Sequence, residues 1–315
     1  MGMGSLSTCR GLKLSPISFT PAADGVSLAN YAWPAAPGVP APLPGPGTPS
    51  IYLLHGLSEH AGRYERLAGW LAARGWRVGA HDHRGHGRSG GPPAGLARPD
   101  DLVRDATQRL LDWSRDCGRP PILLGHSLGA LVAVRVAQRQ WAPLAGLVLS
   151  SPPFRLRIPA WSRPALTWLA RRQPELRVPH GLAPACISHD RAVVAAYRAD
   201  PLVRRCITGR LALFIDQASQ AALRDAPLLP CRTLLQVAGA DRIVAPQGSR
   251  AFAEAAPPAL LTLRWYPDAW HEIFNETPAI AAPVYADLDG WLAGAATSLS
   301  REPIRATSAR TAITP

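Results

Sequence analysis

The segment Ile122–Val132 reads ILLGHSLGALV and joins three patterns over a short distance. An apolar run predicts a buried strand, the pentapeptide Gly125-His126-Ser127-Leu128-Gly129 follows it, and a second apolar run predicts a helix. Such a strand–turn–helix segment holds a serine hydroxyl in a strained, exposed position, and its glycines are needed because side chains would collide across the turn. The alternative is an ordinary turn between a strand and a helix. The context favours Ser127 as a nucleophile.

Short apolar runs alternate with longer helical patterns on both sides of this segment. We predict strands at Ile51–Leu54, Arg77–Ala80, Pro121–Leu124, Gly146–Ser150, Thr233–Ala238 and Leu260–Tyr266. We predict helices at Ala61–Arg74, Asp100–Asp116, Leu128–Gln140, Gln247–Ala255 and Pro278–Leu292. Strands that alternate with helices indicate an α/β fold with a mostly parallel, doubly wound sheet.

The middle of the chain interrupts this alternation. Residues 152–232 are rich in Pro, Trp and Arg, with short helical stretches such as Ala165–Arg172. We interpret them as a helical cap inserted between a first core part, 1–151, and a second core part, 233–293, with a flexible tail at 294–315. Such an insertion would lie over the carboxyl ends of the strands, where open α/β sheets bind their ligands.

A serine nucleophile needs a base, and the base needs an acid that orients it. In this type of fold the expected order along the chain is Ser, then Asp or Glu, then His. Asp241 follows a predicted strand directly, and His271 follows the last one. Asp268 is the competing acid, but it lies very close to His271 in the sequence. We therefore predict Ser127, Asp241 and His271 as the catalytic residues.

Two backbone amides are candidates for an oxyanion hole. The first is the N–H of Leu128, directly after the nucleophile, and the second is the N–H of Leu57, in the loop after an early strand. The identity of the side chain has little influence there, because the donors are main-chain groups.

The run His81-Asp82-His83-Arg84-Gly85-His86 has the residue types of a metal cluster. The glycine-rich continuation to Gly90 favours a hydrogen-bonded loop instead. Gly85, Gly87 and Gly90 also fit a dinucleotide-binding spacing, but a Pro-Pro pair follows where a helix should begin. The five cysteines form no Cys-x-x-Cys pair. We expect neither a metal nor a cofactor.

The net charge of +12 is concentrated in the middle of the chain. Residues 152–232 carry 13 basic and 5 acidic side chains, a net charge of +8, and Arg accounts for 33 of the 34 basic residues of the chain. This bias reflects either genome composition or attraction to anionic lipid or substrate. Nucleic-acid binding is not favoured, because Lys clusters and an interleaved aromatic platform are missing from the sequence. The first twenty residues lack a signal-peptide pattern, so we expect a soluble, cytoplasmic protein.

Several of these motifs together resemble the monoacylglycerol lipase family, a branch of the α/β-hydrolases that overlaps with proteins called lysophospholipases. The matching motifs follow one another in the same order as in the family, from about Ser15 to Leu292, and together they are specific for it. The residues that carry it are 55–64, 82–89, 125–129, 239–246 and 271–276, with Ser188–Asp190 and Tyr197–Leu202 similar to the family's cap.

The resemblance implies a serine hydrolase with Ser127 as nucleophile, Asp241 orienting His271, and a mobile apolar cap over an acyl-chain tunnel. Glu59 and Arg63 match a loop that contacts the glycerol end of the substrate in relatives, although they could equally pair with each other across one helical turn. Trp270 departs from the pattern, since the residue before the catalytic His is often small. Its ring could narrow the alcohol side of the pocket.

We therefore expect hydrolysis of a carboxylic ester through an acyl-enzyme, with a single-chain lipid such as a monoacylglycerol as substrate. A lysophospholipase or a broad short-chain or polyester esterase would use the same groups. A non-catalytic ligand receptor is the alternative from a different class. The basic cap, with Phe154–Pro159 and the helix that follows Trp161, would either contact membranes or simply cover the active site.

Overall fold

An eight-stranded sheet forms the centre of the molecule. The computed structural model describes residues 16–43, 45–158, 161 and 163–299. The strands follow the spatial order β1-β2-β4-β3-β5-β6-β9-β10, and the ladders from β4 through β10 are parallel, whereas β1 and β2 are antiparallel to their neighbours. The bounds are β1 Ser18–Pro21, β2 Ser27–Trp33, β3 Ser50–Leu54, β4 Arg77–His81, β5 Ile122–His126, β6 Gly146–Ser150, β9 Thr233–Ala238 and β10 Leu261–Tyr266. The predicted α/β class is confirmed.

Helices cover both faces of the sheet, which explains why its central strands are continuously apolar. Successive residues of a strand point to opposite faces, so Ile51 and Leu53 of β3 pack with α1 and α8, while Tyr52 and Leu54 pack with α2 and α3. The helix bounds are α1 Glu65–Ala72, α2 Asp101–Cys117, α3 Leu128–Arg139, α4 Arg163–Arg172, α5 Arg191–Ala199, α6 Gly209–Arg224, α7 Gln247–Ala255 and α8 Pro278–Leu299.

Two predicted helices differ from the structure at their ends. The segment predicted as one helix from Ala61 to Arg74 is a 3-10 turn, Ala61–Tyr64, followed by α1. At the other end of the chain, α8 continues past the predicted end at Leu292 as far as Leu299. The first part of the segment predicted as a tail is thus helical, and residues 300–315 lie outside the described residues.

The segment between β6 and β9 contains α4, α5 and α6 and a small antiparallel ladder of β7, Arg177–Pro179, with β8, Cys206–Thr208. These elements do not pack alike. In α4 only Ala170 is buried, whereas α6 begins at a Thr208 cap and packs Leu211, Phe214 and Ala222 into the core beside α3. Helix α4 is therefore loosely packed, whereas α6 is firmly anchored in the core.

Within the described ranges, the helices are all too short or too polar to cross a membrane.

The stacked pair Phe154 and Phe252 gives a test of the core packing. Their ring centroids are 4.5 Å apart, and Phe252 is fully buried. We expect Phe252→Ala to lower the free energy of unfolding by about 3–5 kcal/mol, because the lost contacts leave a cavity. The matched control is Phe19→Ala, whose ring is 56% exposed in β1, with an expected change within about 0.5 kcal/mol. Urea unfolding followed by circular dichroism measures both, and equal losses would contradict this packing.

Candidate active site

Ser127 occupies the turn between β5 and α3. Its φ of 50° and ψ of −119° lie in a region that L-residues rarely adopt. The turn is fixed on both sides, since the N–H of Ser127 donates to the carbonyl of Ser150 at 2.9 Å and its carbonyl accepts from the N–H of Leu131 at 3.0 Å. The strand–turn–helix geometry predicted from the pentapeptide is present, and it stores backbone strain at the serine.

The two glycines of the pentapeptide are required by close backbone packing. A Cβ atom on Gly125 would lie 2.3 Å from the carbonyl oxygen of Gly129, and a Cβ atom on Gly129 would lie 2.1 Å from that of Leu54. Both distances are far below van der Waals contact, and backbone atoms cannot move aside as a flexible side chain can. Larger residues at these positions would displace the serine.

Asp241 and His271 lie at the same edge of the sheet as Ser127, after β9 and β10. Nδ1 of His271 lies 2.7 Å from Oδ2 of Asp241, and Oδ1 of Asp241 accepts from the N–H groups of Ile243 at 2.7 Å and Val244 at 3.0 Å. Burial opposes ionisation of Asp241, but His271 and these two amides lower its pKa below the usual value. Asp268, the competing acid, is exposed to solvent.

His271 is buried, and its environment favours the protonated form. Burial by itself would lower the pKa of this imidazole, but the charge of Asp241 and its hydrogen bond raise it above the usual value. Because Nδ1 is occupied by Asp241, Nε2 is the nitrogen that can accept a proton from elsewhere. The ring of His126 lies 4.9 Å from that of His271, and burial lowers the pKa of His126 to about 3, so it stays neutral.

Ser127 and His271 line one pocket of ≈ 380 Å³ that is partly open to solvent. The core contributes the loop after β3, including Leu57, and the cap contributes residues 182–184, Ile187 and Tyr197. Leu128 is the first residue of α3, so its N–H has no carbonyl one helical turn earlier to bind. The residues predicted as nucleophile, base and second amide donor thus meet at one cavity.

A buried ion network forms the polar side of this pocket. Nη1 of Arg63 donates to Oε1 of Glu272 at 2.7 Å, and Nη2 donates to Oε2 of Glu272 at 2.8 Å. Nη1 also pairs with Glu59. Glu59 accepts in addition from the N–H of Gly56 and the hydroxyl of Tyr64, each at 2.6 Å. The pairing of Glu59 with Arg63 across one helical turn, which the sequence allowed, is present.

Of the three residues predicted to bind substrate, Glu59, Arg63 and Trp270, the structure brings only Glu59 to the pocket. Arg63 lies behind Glu59 and Glu272 and holds them. The ring of Trp270 instead stacks on His189, with centroids 3.8 Å apart, and lies under the guanidinium of Arg242. Its bulk is accommodated outside the cavity, so it does not narrow the pocket in this structure.

The start of the cap is attached to the turn that carries Asp241. Arg157 donates from Nη2 to the carbonyl of Asp241 at 2.5 Å and from Nε to the carbonyl of Val244 at 3.1 Å. A bridge between Leu156 and Val244 continues this contact. From the sequence, Arg157 is predicted only as part of the basic cap, because an arginine between apolar residues gives no sign of a backbone partner 84 residues away.

A second attachment joins the cap to the loop that carries His271. The fully buried carboxylate of Glu276 accepts from the N–H of Trp270 at 2.8 Å and from the N–H of His189 at 2.9 Å, and it binds Nδ1 of His189 at 2.8 Å. The N–H of Glu272 donates to the carbonyl of Ile187 at 2.8 Å. Glu276 belongs to the motif 271–276 that carries the family resemblance, but the sequence predicts no role for it.

The histidine-rich run after β4 forms a hydrogen-bonded loop. Asp82 accepts from the N–H of Ala61 and of Arg88, each at 2.8 Å, and from the hydroxyl of Tyr31 at 3.0 Å. Nε2 of His83 lies 3.0 Å from the carbonyl of His55. In the part of the chain that the structure describes, His, Cys, Asp and Glu side chains do not come together in threes as metal ligands would.

Comparisons with known proteins agree with this geometry. The family model described as "Serine aminopeptidase, S33" matches residues 47–278. Human monoglyceride lipase is 34% identical over 78% of this chain and 83% of its own length. The monoacylglycerol lipase of Mycolicibacterium smegmatis is 33% identical over 72% and 82%. The crystal structure of Paleococcus ferrophilus monoacylglycerol lipase superposes with a TM-score of 0.72 at 32% identity, covering 79% of this chain and 96% of that one.

The matched range includes the strained serine, the Asp241–His271 pair and the network behind them. The chain therefore belongs to the serine aminopeptidase S33 family of α/β-hydrolases and is an ester hydrolase similar to monoglyceride lipases.

Proposed function

We propose that this hydrolase cleaves carboxylic esters of single-chain lipids, monoacylglycerols foremost, through an acyl-enzyme on Ser127. The observation that carries the proposal is the common pocket of Ser127 and His271, with Asp241 hydrogen-bonded behind the imidazole. A receptor that only binds its ligand has no need of these three groups in this arrangement.

In the first half of the reaction the Oγ atom of Ser127 attacks the ester carbonyl, and Nε2 of His271 takes its proton. Asp241 holds the imidazole in the tautomer that leaves Nε2 free, and its charge stabilises the imidazolium that forms. The carbonyl oxygen becomes an oxyanion, which the N–H groups of Leu57 and Leu128 stabilise by donating hydrogen bonds to it.

The imidazolium of His271 then protonates the departing alcohol, and the acyl group stays on Ser127. Water enters, His271 takes a proton from it, and the resulting hydroxide displaces Ser127 from the acyl group. The imidazolium of His271 returns its proton to Oγ of Ser127, which restores the hydroxyl, and the fatty acid leaves. In this cycle Glu59, Arg63 and Glu272 act on the alcohol side of the pocket.

The apolar cap supports a substrate with one long chain. A second cavity lies in the cap between α4, α6 and the β7–β8 ladder, and its lining includes Leu166, Leu169, Leu176, Val178 and Leu213. Such a surface suits an acyl chain rather than a polar group. The similarity to human monoglyceride lipase and to the monoacylglycerol lipases of Mycolicibacterium smegmatis and Paleococcus ferrophilus supports a monoacylglycerol as substrate.

Removing the nucleophile tests the mechanism. We expect Ser127→Ala to lower kcat for a monoacylglycerol and for p-nitrophenyl butyrate at least about 10³-fold and to abolish labelling by a fluorophosphonate, because the acyl-enzyme cannot form. Ser27→Ala, an exposed serine at the start of β2, is the matched control and should keep wild-type rates. Undiminished hydrolysis by the Ser127 variant would refute the acyl-enzyme, and an inactive wild type would favour the receptor.

The Asp241–His271 pair predicts a pH dependence. Since His271 must be neutral to act as a base and its pKa is raised, kcat/KM should fall as the pH drops through a value above 6.5. Asp241→Asn should lower kcat by about 10³–10⁴-fold and move this acid limb to lower pH, because the stabilising charge is lost. Asp268→Asn is the control and should change neither. A shift with Asp268→Asn instead would assign the acid to that residue.

We also propose that the cap contacts anionic membranes. Around α4, the side chains of Trp161 and Trp168 are 84% and 61% exposed, and Leu166 and Leu169 are partly exposed beside them. Arg171 and Arg172 end this helix on its solvent side. Exposed aromatic and basic side chains on one helix are typical of a segment that lies in a membrane interface.

Vesicle binding tests this contact. We expect co-sedimentation with vesicles that contain phosphatidylserine, weaker binding to pure phosphatidylcholine, and a further loss at high salt. The double variant Trp161→Ala/Trp168→Ala should bind at least about fivefold more weakly. Trp141→Ala, a partly exposed tryptophan between α3 and β6, serves as control. Equal and negligible binding to both vesicle types would exclude the contact.

A further inference from the structure

The polar side of the active-site pocket carries an excess of negative charge. Glu59 and Glu272 both line the cavity beside Ser127 and His271, and their exposed fractions are 3% and 6%. Arg63 is the cation that pairs with them, and it binds both carboxylates at once. Two carboxylates share one guanidinium, so this network has a net charge of −1.

The other partners of the two carboxylates are neutral. Glu59 accepts from a backbone amide and from Tyr64, while Oε2 of Glu272 accepts from the side-chain amide of Asn275 at 2.9 Å. These bonds hold the carboxylates in place and do not cancel the charge. Since the network is shielded from water, its field is weakly screened.

Among the described residues, Arg63 is the cation that forms ion pairs with Glu59 and Glu272, whereas Arg157 at the Asp241 turn binds the backbone carbonyl groups of Asp241 and Val244. Asp241 and His271 form their own pair, and His126 is kept neutral by burial. Arg205 of the cap is exposed, so solvent screens it. Burial lowers the pKa of His271 and Asp241 raises it, and the charges of Glu272 and Glu59 raise it further.

We propose that Glu59 and Glu272 select substrates by the charge of the leaving alcohol, admitting neutral and cationic alcohols and rejecting phosphorylated ones. The inference rests on the proposed ester hydrolysis, and it assigns the pocket to neutral monoacylglycerol-type esters over lysophosphatidate-type esters. Repulsion acts before and during acylation, because the alcohol leaves with that step.

This selection is opposite in sign to the charge of the cap. Residues 152–232 have a net charge of +8 and attract anionic surfaces, whereas the pocket beneath them is acidic. An anionic lipid that concentrates at the cap is therefore disfavoured at the serine. The lipids that the cap attracts would thus differ from the lipids that the pocket hydrolyses.

The test uses three soluble esters with the same acyl group, so that membrane binding plays no part. These are 1-butyryl-glycerol, 1-butyryl-glycerol 3-phosphate and butyrylcholine, compared by kcat/KM at pH 8. For the wild type we expect the neutral ester to exceed the phosphate ester at least about tenfold, and butyrylcholine to be hydrolysed within about threefold of the neutral ester. Equal kcat/KM for the neutral and phosphate esters would overturn the proposal.

The variant Glu272→Gln separates charge from size, because the amide has nearly the shape of the carboxylate. We expect the preference for the neutral over the phosphate ester to fall about tenfold. Glu175→Gln removes the same charge from an exposed ion pair with Arg210 in the cap and should leave the preference unchanged. An equal effect of both variants would assign the selection to overall charge and overturn the proposal.

Hydrolysis of p-nitrophenyl butyrate by the wild type distinguishes a failure of the proposed ester hydrolysis from a failure of the charge selection. Its absence would refute the proposed function, whereas activity without charge discrimination would refute the charge selection alone. Thermal unfolding identifies a Glu272 variant that fails to fold. In that case the charge selection is tested by the preference for the neutral over the phosphate ester, measured for the Glu59→Gln variant and for the wild type.

Discussion

The crossing of backbone segments at the Ser127 turn is the constraint on which the rest of the site depends. Gly125 and Gly129 bring β5, α3 and the end of β3 so close together that no side chain fits between them. This contact forces Ser127 into its unusual backbone conformation and points it away from the sheet. The loop after β3, with Leu57 and Glu59, is held beside the serine by the same contact.

Sheet topology brings Asp241 and His271 to this turn. Parallel strands end at a common edge, so residues that follow β5, β9 and β10 become neighbours although more than a hundred residues separate the first from the last. For this reason Ser127, Asp241 and His271 could be predicted from the sequence, since each follows a recognisable strand. The helices were also predictable where apolar periodicity is strong, as in α2 and α3.

The remaining contacts of the site could not be predicted, because they depend on the course of the cap. Arg157 is a cation in a basic segment, and its attachment to the Asp241 turn follows only from the way the chain leaves β6. Glu276 has the appearance of a surface carboxylate, yet it is fully buried between two loops. The position of Trp270 beside His271 predicts a contact with the substrate, but its ring lies against His189 and Arg242 instead. Local patterns carry no information on such pairings.

The attachment of the cap at two points has a consequence for how such chains diversify. Residues 155–157 are fixed to the acid turn and residues 187–189 to the loop of the base. The chain between these points includes α4, of which Ala170 is the one buried residue. Insertions, deletions and exchanges there leave the anchors in place, so the roof of the pocket can be remodelled while the arrangement of Asp241 and His271 is inherited unchanged.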